Sequence, residues 1–95
     1  MEPHELIFSV TNAGVAARCL HVAAQLGVAD HIDDRPVPAG DLAQRCKVDA
    51  DGLNRVLRLL SAHGVFSLVS GGYQHSAASR LLRSDHPMSM RAFPR

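Results

Sequence analysis

Apolar positions recur at helical steps from Glu5 to Leu26, and no proline interrupts them. That pattern predicts helix, in one piece or in two that break near Asn12 or Gly14. The first part sets Leu6, Ile7 and Val10 along one side. In the second part Val15, Ala16, Ala17, Cys19, Leu20, Val22, Ala23 and Ala24 point in nearly every direction. A helix that is apolar all round has to be covered all round. Two readings stay open. This is the central helix of the core, with alanines tolerated at its surface, or part of it is covered by another chain together with the Leu6-Ile7-Val10 arm. A bare patch of that size is a liability, which favours the second reading.

From Asp41 to His75 the periodicity changes twice. Helix Ala39–Cys46 turns Leu42, Ala43 and Cys46 inward, although Gly40 in its first turn weakens it. Lys47 and Val48 form a turn in which Val48 is expected to plug the space between two helices. The next helix has an apolar stripe of Leu53, Val56, Leu57, Leu60 and Ala62, with Asn54, Arg55, Arg58 and Ser61 on the other side. Asp49 stands at its N-cap, Asp51 adds negative charge to the first turn, and His63 and Gly64 close it. Phe66 to Val69 alternates as a strand, Gly71-Gly72 is a permissive hairpin turn, and Tyr73 and His75 lie on the return strand. The pattern is a winged helix-turn-helix, so the predicted class is mostly α, with a small β-hairpin wing.

The connecting pieces follow from turn chemistry. Gly27 ends the first helical region, Val28 and Ile32 tuck back onto the core, and Asp30 caps a short helical turn. Residues 33–38 form a loop stiffened by two prolines. Ser76 is the expected N-cap of a helix from Ala77 to Arg83 that packs Leu81 and Leu82 downward. From Ser84 the pattern loosens. Pro87, two methionines and Phe93 read as the start of another element, as if the chain were a piece of something longer.

Composition limits the chemistry. A chain of 95 residues has room for one domain, and 46% hydrophobic with only 4% aromatic residues means a core of Leu, Val and Ala. A net charge of +1 offers no strong field for nucleic acid or anionic lipid. Cys19 and Cys46 lack zinc or redox spacing and read as reduced thiols, although spacing alone leaves a disulfide open. The six His are scattered, and none stands at metal-ligand spacing from a Cys or acid. Asp30, Asp33 and Asp34 read as solvated caps rather than a catalytic pair. Gly71-Gly72 lacks the spacing of a phosphate loop. No catalytic, cofactor-binding or metal residue is identified. The N-terminus MEPHELIF carries acids rather than a basic signal region, and no uninterrupted apolar run reaches the roughly twenty residues of a membrane span, so a cytoplasmic location is expected.

A winged helix raises DNA binding, and a transcriptional regulator is the alternative function. The residues that would enter the major groove are Asp49, Ala50, Asp51, Gly52 and Asn54. Two carboxylates there meet phosphates with the wrong sign. Arg55 and Arg58 are placed for phosphate and Asn54 for an adenine, but the wing SGGYQH has no basic residue and Lys47 is the only lysine. The basic footprint of a DNA-binding domain is missing. The winged helix therefore reads better as a scaffold, and nucleic acid as an unlikely partner.

Four stretches in order carry a family resemblance: AAQLGVADHI (23–32), PAGDLAQRCKVD (38–49), GLNRVLRLLSAHGVFSL (52–68) and GGYQHSAASRLLRSDHPMSMR (71–91). Together they resemble the N-terminal dimerisation domain of S-adenosylmethionine-dependent O-methyltransferases, of the plant-caffeate and bacterial antibiotic-tailoring type. Pro38-Ala39 departs from the pattern where the family usually has a Thr or Ser cap. The resemblance implies a winged-helix dimerisation domain over residues 1–86 and the start of a linker at 87–95. It implies a homodimer through the N-terminal helices, with Leu6, Ile7, Val10, Val15, Leu20 and Ala24 at the interface. Ile7, Val10 or Thr11 would close part of the partner's substrate pocket. S-adenosylmethionine and a small-molecule acceptor would belong to a catalytic domain absent from these residues. A dimeric scaffold with no catalytic partner is a further alternative.

Overall fold

The computed structural model describes residues 2–86. Helix α1 runs unbroken from Pro3 to Leu26. Pro3 starts it at the position where a missing N–H costs nothing. Of the two arrangements left open, one continuous helix or two broken near Asn12 or Gly14, the first is found. Gly14 costs a helix about 1 kcal/mol, and the alanines and long side chains around it outweigh one such residue. The Thr11 hydroxyl is also satisfied in place, donating to the Ile7 carbonyl at 2.9 Å. Gly27 ends the helix in the left-handed region (φ 68°), its N–H turned back to the carbonyls of Ala23 and Ala24.

A single 3₁₀ turn follows at Val28–His31, then α2 (Ala39–Cys46) and α3 (Ala50–Ala62). Asp30 does not cap that turn; its carboxylate accepts instead from the Ser84 N–H and hydroxyl at 2.9 and 3.0 Å. Asp49 caps α3 as expected, accepting from the Gly52 N–H at 2.8 Å. Between α2 and α3 the chain turns at Lys47, which takes positive φ (60°) without being glycine. Val48 does not plug the helix junction; it is exposed at the surface. From α2 the core instead takes Leu42 and Ala43.

Strands β1 (Phe66–Val69) and β2 (Gly72–His75) pair antiparallel, with Phe66 opposite His75 and Val69 opposite Gly72. The hairpin turn is therefore Ser70-Gly71, one residue earlier than the glycine pair suggested. Gly72 stands inside β2 for a different reason. Its φ is +134°, and a Cβ there would sit 2.3 Å from the Val37 carbonyl oxygen. Val37 and Tyr73 exchange both backbone bonds at 2.8 and 2.9 Å, adding a third edge to the wing from the segment predicted as loop. Helix α4 is Ala77–Arg80, shorter than expected, and opens on a reciprocal Ser76/Ser79 capping box. Beyond it the Arg83 guanidinium donates to the Ile32 carbonyl at 2.6 Å and pairs with Asp85 at 2.9 Å. The bond to Ile32 spans 51 residues and ties this segment to the core as the helix ends. The expected element at Pro87, Met88, Met90 and Phe93, and the linker at 87–95, lie outside the described residues.

The core is one cluster. Val28, Ile32, Leu42, Leu57, Leu60 and Tyr73 are among its members, joining the 3₁₀ turn, α2, α3 and the wing. From α1 the core takes Ala23, with Cys19, Leu20 and Leu26 packed partly against it. Ala62, expected on the buried stripe of α3, is exposed at its last turn. His75 is buried too, a role the sequence did not single out. Its Nε2 donates to the Ile32 carbonyl and its Nδ1 faces the Ser79 hydroxyl, both at 2.8 Å. Burial, with Arg80 and Arg83 nearby, holds this imidazole below the usual histidine value against the opposing pull of the Ile32 carbonyl.

Candidate interface along the first helix

Helix α1 has two unlike halves. Its C-terminal half lies along α3 and supplies the core residues just named. Its N-terminal half has no cover: every described residue from Glu2 to Val15 is exposed. Leu6, Ile7, Phe8 and Val10 are 53%, 66%, 64% and 64% exposed, and Val15 and Val22 extend the bare surface toward the core. Four large apolar side chains within five positions, spread over more than half of the helix circumference, cannot be hidden by one neighbouring face of the same chain.

The residues expected at an interface separate on this ground. Leu6, Ile7, Val10 and Val15 are bare and gather on one arm. Leu20 is half-buried against the subunit's own core. Ala24 is a correction: it is 1% exposed, covered by its own chain, and has no surface to offer a partner. One helical residue separates the two classes by direction alone, which an all-apolar sequence does not reveal. Phe8 and Val22 were missed in the opposite sense; both carry exposed apolar surface on α1. Ile7, Val10 and Thr11 all lie on the exposed arm.

By length and composition α1 is also able to cross a membrane, a possibility that counting uninterrupted apolar runs passes over. Its C-terminal half is committed elsewhere, since extracting it would strip Ala23 and Ala24 from the core. Arg18 near its middle would add the cost of a charge in hydrocarbon.

Chemistry is sparse elsewhere. Among the described residues no group of three His, Cys, Asp or Glu is placed to hold a metal ion. Cys19 and Cys46 are both free thiols. Burial holds the Cys46 thiol above its ordinary value, which keeps it protonated and unreactive. On α3, Asn54 is occupied: the Tyr73 hydroxyl lies 2.6 Å from its Oδ1 and 3.2 Å from its carbonyl. The side chain that would have read an adenine is thus tied into the wing, and the Asp49 carboxylate is spent on its own helix.

Comparison with known proteins agrees with this geometry. Residues 8–85 match the O-methyltransferase dimerisation domain, and the chain belongs to that family. It is 42% identical over 73 residues to the phenazine O-methyltransferase PhzM of Lysobacter antibioticus, covering 76% of this chain and 21% of that protein. To the O-methyltransferase SfmM3 of Streptomyces lavendulae it is 38% identical over 78 residues, covering 81% and 23%. Among solved structures it superposes on CalO1, a methyltransferase in calicheamicin biosynthesis in its SAH-bound form, with TM-score 0.83 and 34% identity, covering 99% of this chain and 29% of that one. The chain thus spans about a fifth of the length of the curated relatives it matches. Nothing in these comparisons supports a transcriptional regulator.

Proposed function

We propose that this domain is the homodimerisation module of a small-molecule, S-adenosylmethionine-dependent O-methyltransferase and performs no methyl transfer itself. The observation that carries the reading is the arm at the start of α1, whose large apolar side chains Leu6, Ile7, Phe8 and Val10 are bare in one subunit. A second copy related by a two-fold axis covers such a surface with the same residues on both partners. The arm has more directions than one partner face occupies. Ile7, Val10 and Thr11 form the part left for the remainder of the partner subunit, where they close one wall of its acceptor pocket. S-adenosylmethionine binds in that remainder, a reading supported by the SAH-bound form of CalO1. A cytoplasmic site of action belongs to the same reading.

The test is the protein extended by the coding sequence beyond Arg95. It is expected to bind SAH in calorimetry and to transfer a labelled methyl group from S-adenosylmethionine to a hydroxylated small molecule. Removing residues 1–11 is expected to raise KM for the acceptor more than Kd for SAH. A reading frame that stops at Arg95, or an extended protein with no affinity for SAH, refutes the parent activity.

A further inference from the structure

Phe8, Asn12, Val15, Cys19, Val22 and Leu26 follow one another at alternating four- and three-residue steps through α1. That is the spacing of a helix–helix seam. In one subunit the seam is half used. Cys19 and Leu26 lean on the core, while Phe8, Val15 and Val22 are 64%, 46% and 39% exposed. At its C-terminal end the seam borders an open groove of about 340 Å³, lined by Val22, Leu26, Val48, Leu53 and Val56 with Asp49 and Gly52 at the start of α3, and mostly apolar. Val48, the residue that failed to plug the helix junction, forms its exposed rim.

We infer that this groove is the seat for Phe8 of a second copy of the chain. The inference rests on the homodimer reading above and names where the partner docks. Fourteen residues at 1.5 Å each place Phe8 about 21 Å along the axis from Val22, so it cannot reach the groove of its own subunit. A two-fold axis near Ala17 brings the seams together antiparallel. Phe8 then faces Leu26 of the other copy, Asn12 faces Val22 and Val15 faces Cys19, because each of these pairs is symmetric about position 17. Both grooves fill at once, so the contact closes and does not propagate into a fibre. On the seam itself the bare apolar surface of Phe8, Val15, Val22 and Val48 amounts to on the order of 400 Å² per copy. A standard interface needs about 800 Å² per partner, little more than half of it apolar, so the seam supplies most of that apolar share.

Two variants test this. In a chain with Cys19→Ser and Cys46→Ser, Phe8→Cys and Val48→Cys are made separately and mixed. A short bismaleimide is expected to link the two variants to each other and neither to itself. Gly52→Leu places a side chain in the groove at an exposed helical position where a Cβ meets only the Asp49 side chain, at 3.4 Å or more, so the subunit keeps its fold. It is expected to raise the dimer Kd at least tenfold with unchanged helical circular dichroism. If the wild type dimerises but Gly52→Leu leaves Kd within twofold and the mixture gives no cross-link, the groove is overturned and the homodimer stands. If the wild type is monomeric at high micromolar concentration, both fall.

Discussion

Phe8→Ala separates a residue that holds two subunits together from one that holds a subunit together. Phe8 is 64% exposed and lies outside the core cluster. Fully burying a phenylalanine is worth up to about 3 kcal/mol, so roughly 2 kcal/mol remains for a partner to supply. Symmetry doubles the loss, and part of it is offset by side-chain freedom regained on dissociation. The net expectation is about 3 kcal/mol per dimer, roughly a hundredfold rise in Kd. Sedimentation velocity over a concentration series measures it. The control is Leu57→Ala, a side chain with 0% exposure. It is expected to cost about 2–5 kcal/mol of subunit stability in urea unfolding. Phe8→Ala, unfolded at concentrations where the wild type is also monomeric, is expected to lose almost none. A Phe8→Ala chain that unfolds as readily as Leu57→Ala, or one that dimerises as tightly as the wild type, refutes the reasoning.

Other expectations follow from single features. His75 takes up a proton less readily in the fold than in the unfolded chain, where it protonates below about pH 6.5. The unfolded state then binds more protons, so stability falls as pH drops from about 6.5 toward the lowered native value. The urea midpoint measured between pH 7 and 5 should show this slope, and His75→Gln should flatten it; an unchanged slope would assign it elsewhere. Gly72→Ala would drive a methyl group into the Val37 backbone and is expected to cost about 1–3 kcal/mol or more, read as a lowered Tm. Lys47→Gly relieves positive φ at the end of α2 and is expected to stabilise by about 0.5–1 kcal/mol, read as a raised urea midpoint.

What the residues disclosed on their own was local. The Asp49 cap, the Gly27 stop and the Ser76 cap are decided by a side chain and its nearest backbone, and each stands where the sequence put it. The departures come from distant partners. Past the end of α4, Arg83 reaches the Ile32 carbonyl, 51 residues away. The turn register is set by Val37 crossing Tyr73. His75 is a core residue because the Ile32 carbonyl and the Ser79 hydroxyl satisfy both its nitrogens, and neither is adjacent in sequence. The interface was half legible for a similar reason. An all-apolar helix announces that something must cover it but not which directions its own chain takes, so Ala24 was placed outside and Phe8 was passed over.

The central claim is that the arm of α1 is bare in one subunit because a second copy covers it. Sedimentation equilibrium of the chain at micromolar concentrations measures this most directly. A species of twice 10.2 kDa that dissociates on dilution is expected. A single species of 10.2 kDa at every concentration, with native circular dichroism, would contradict it.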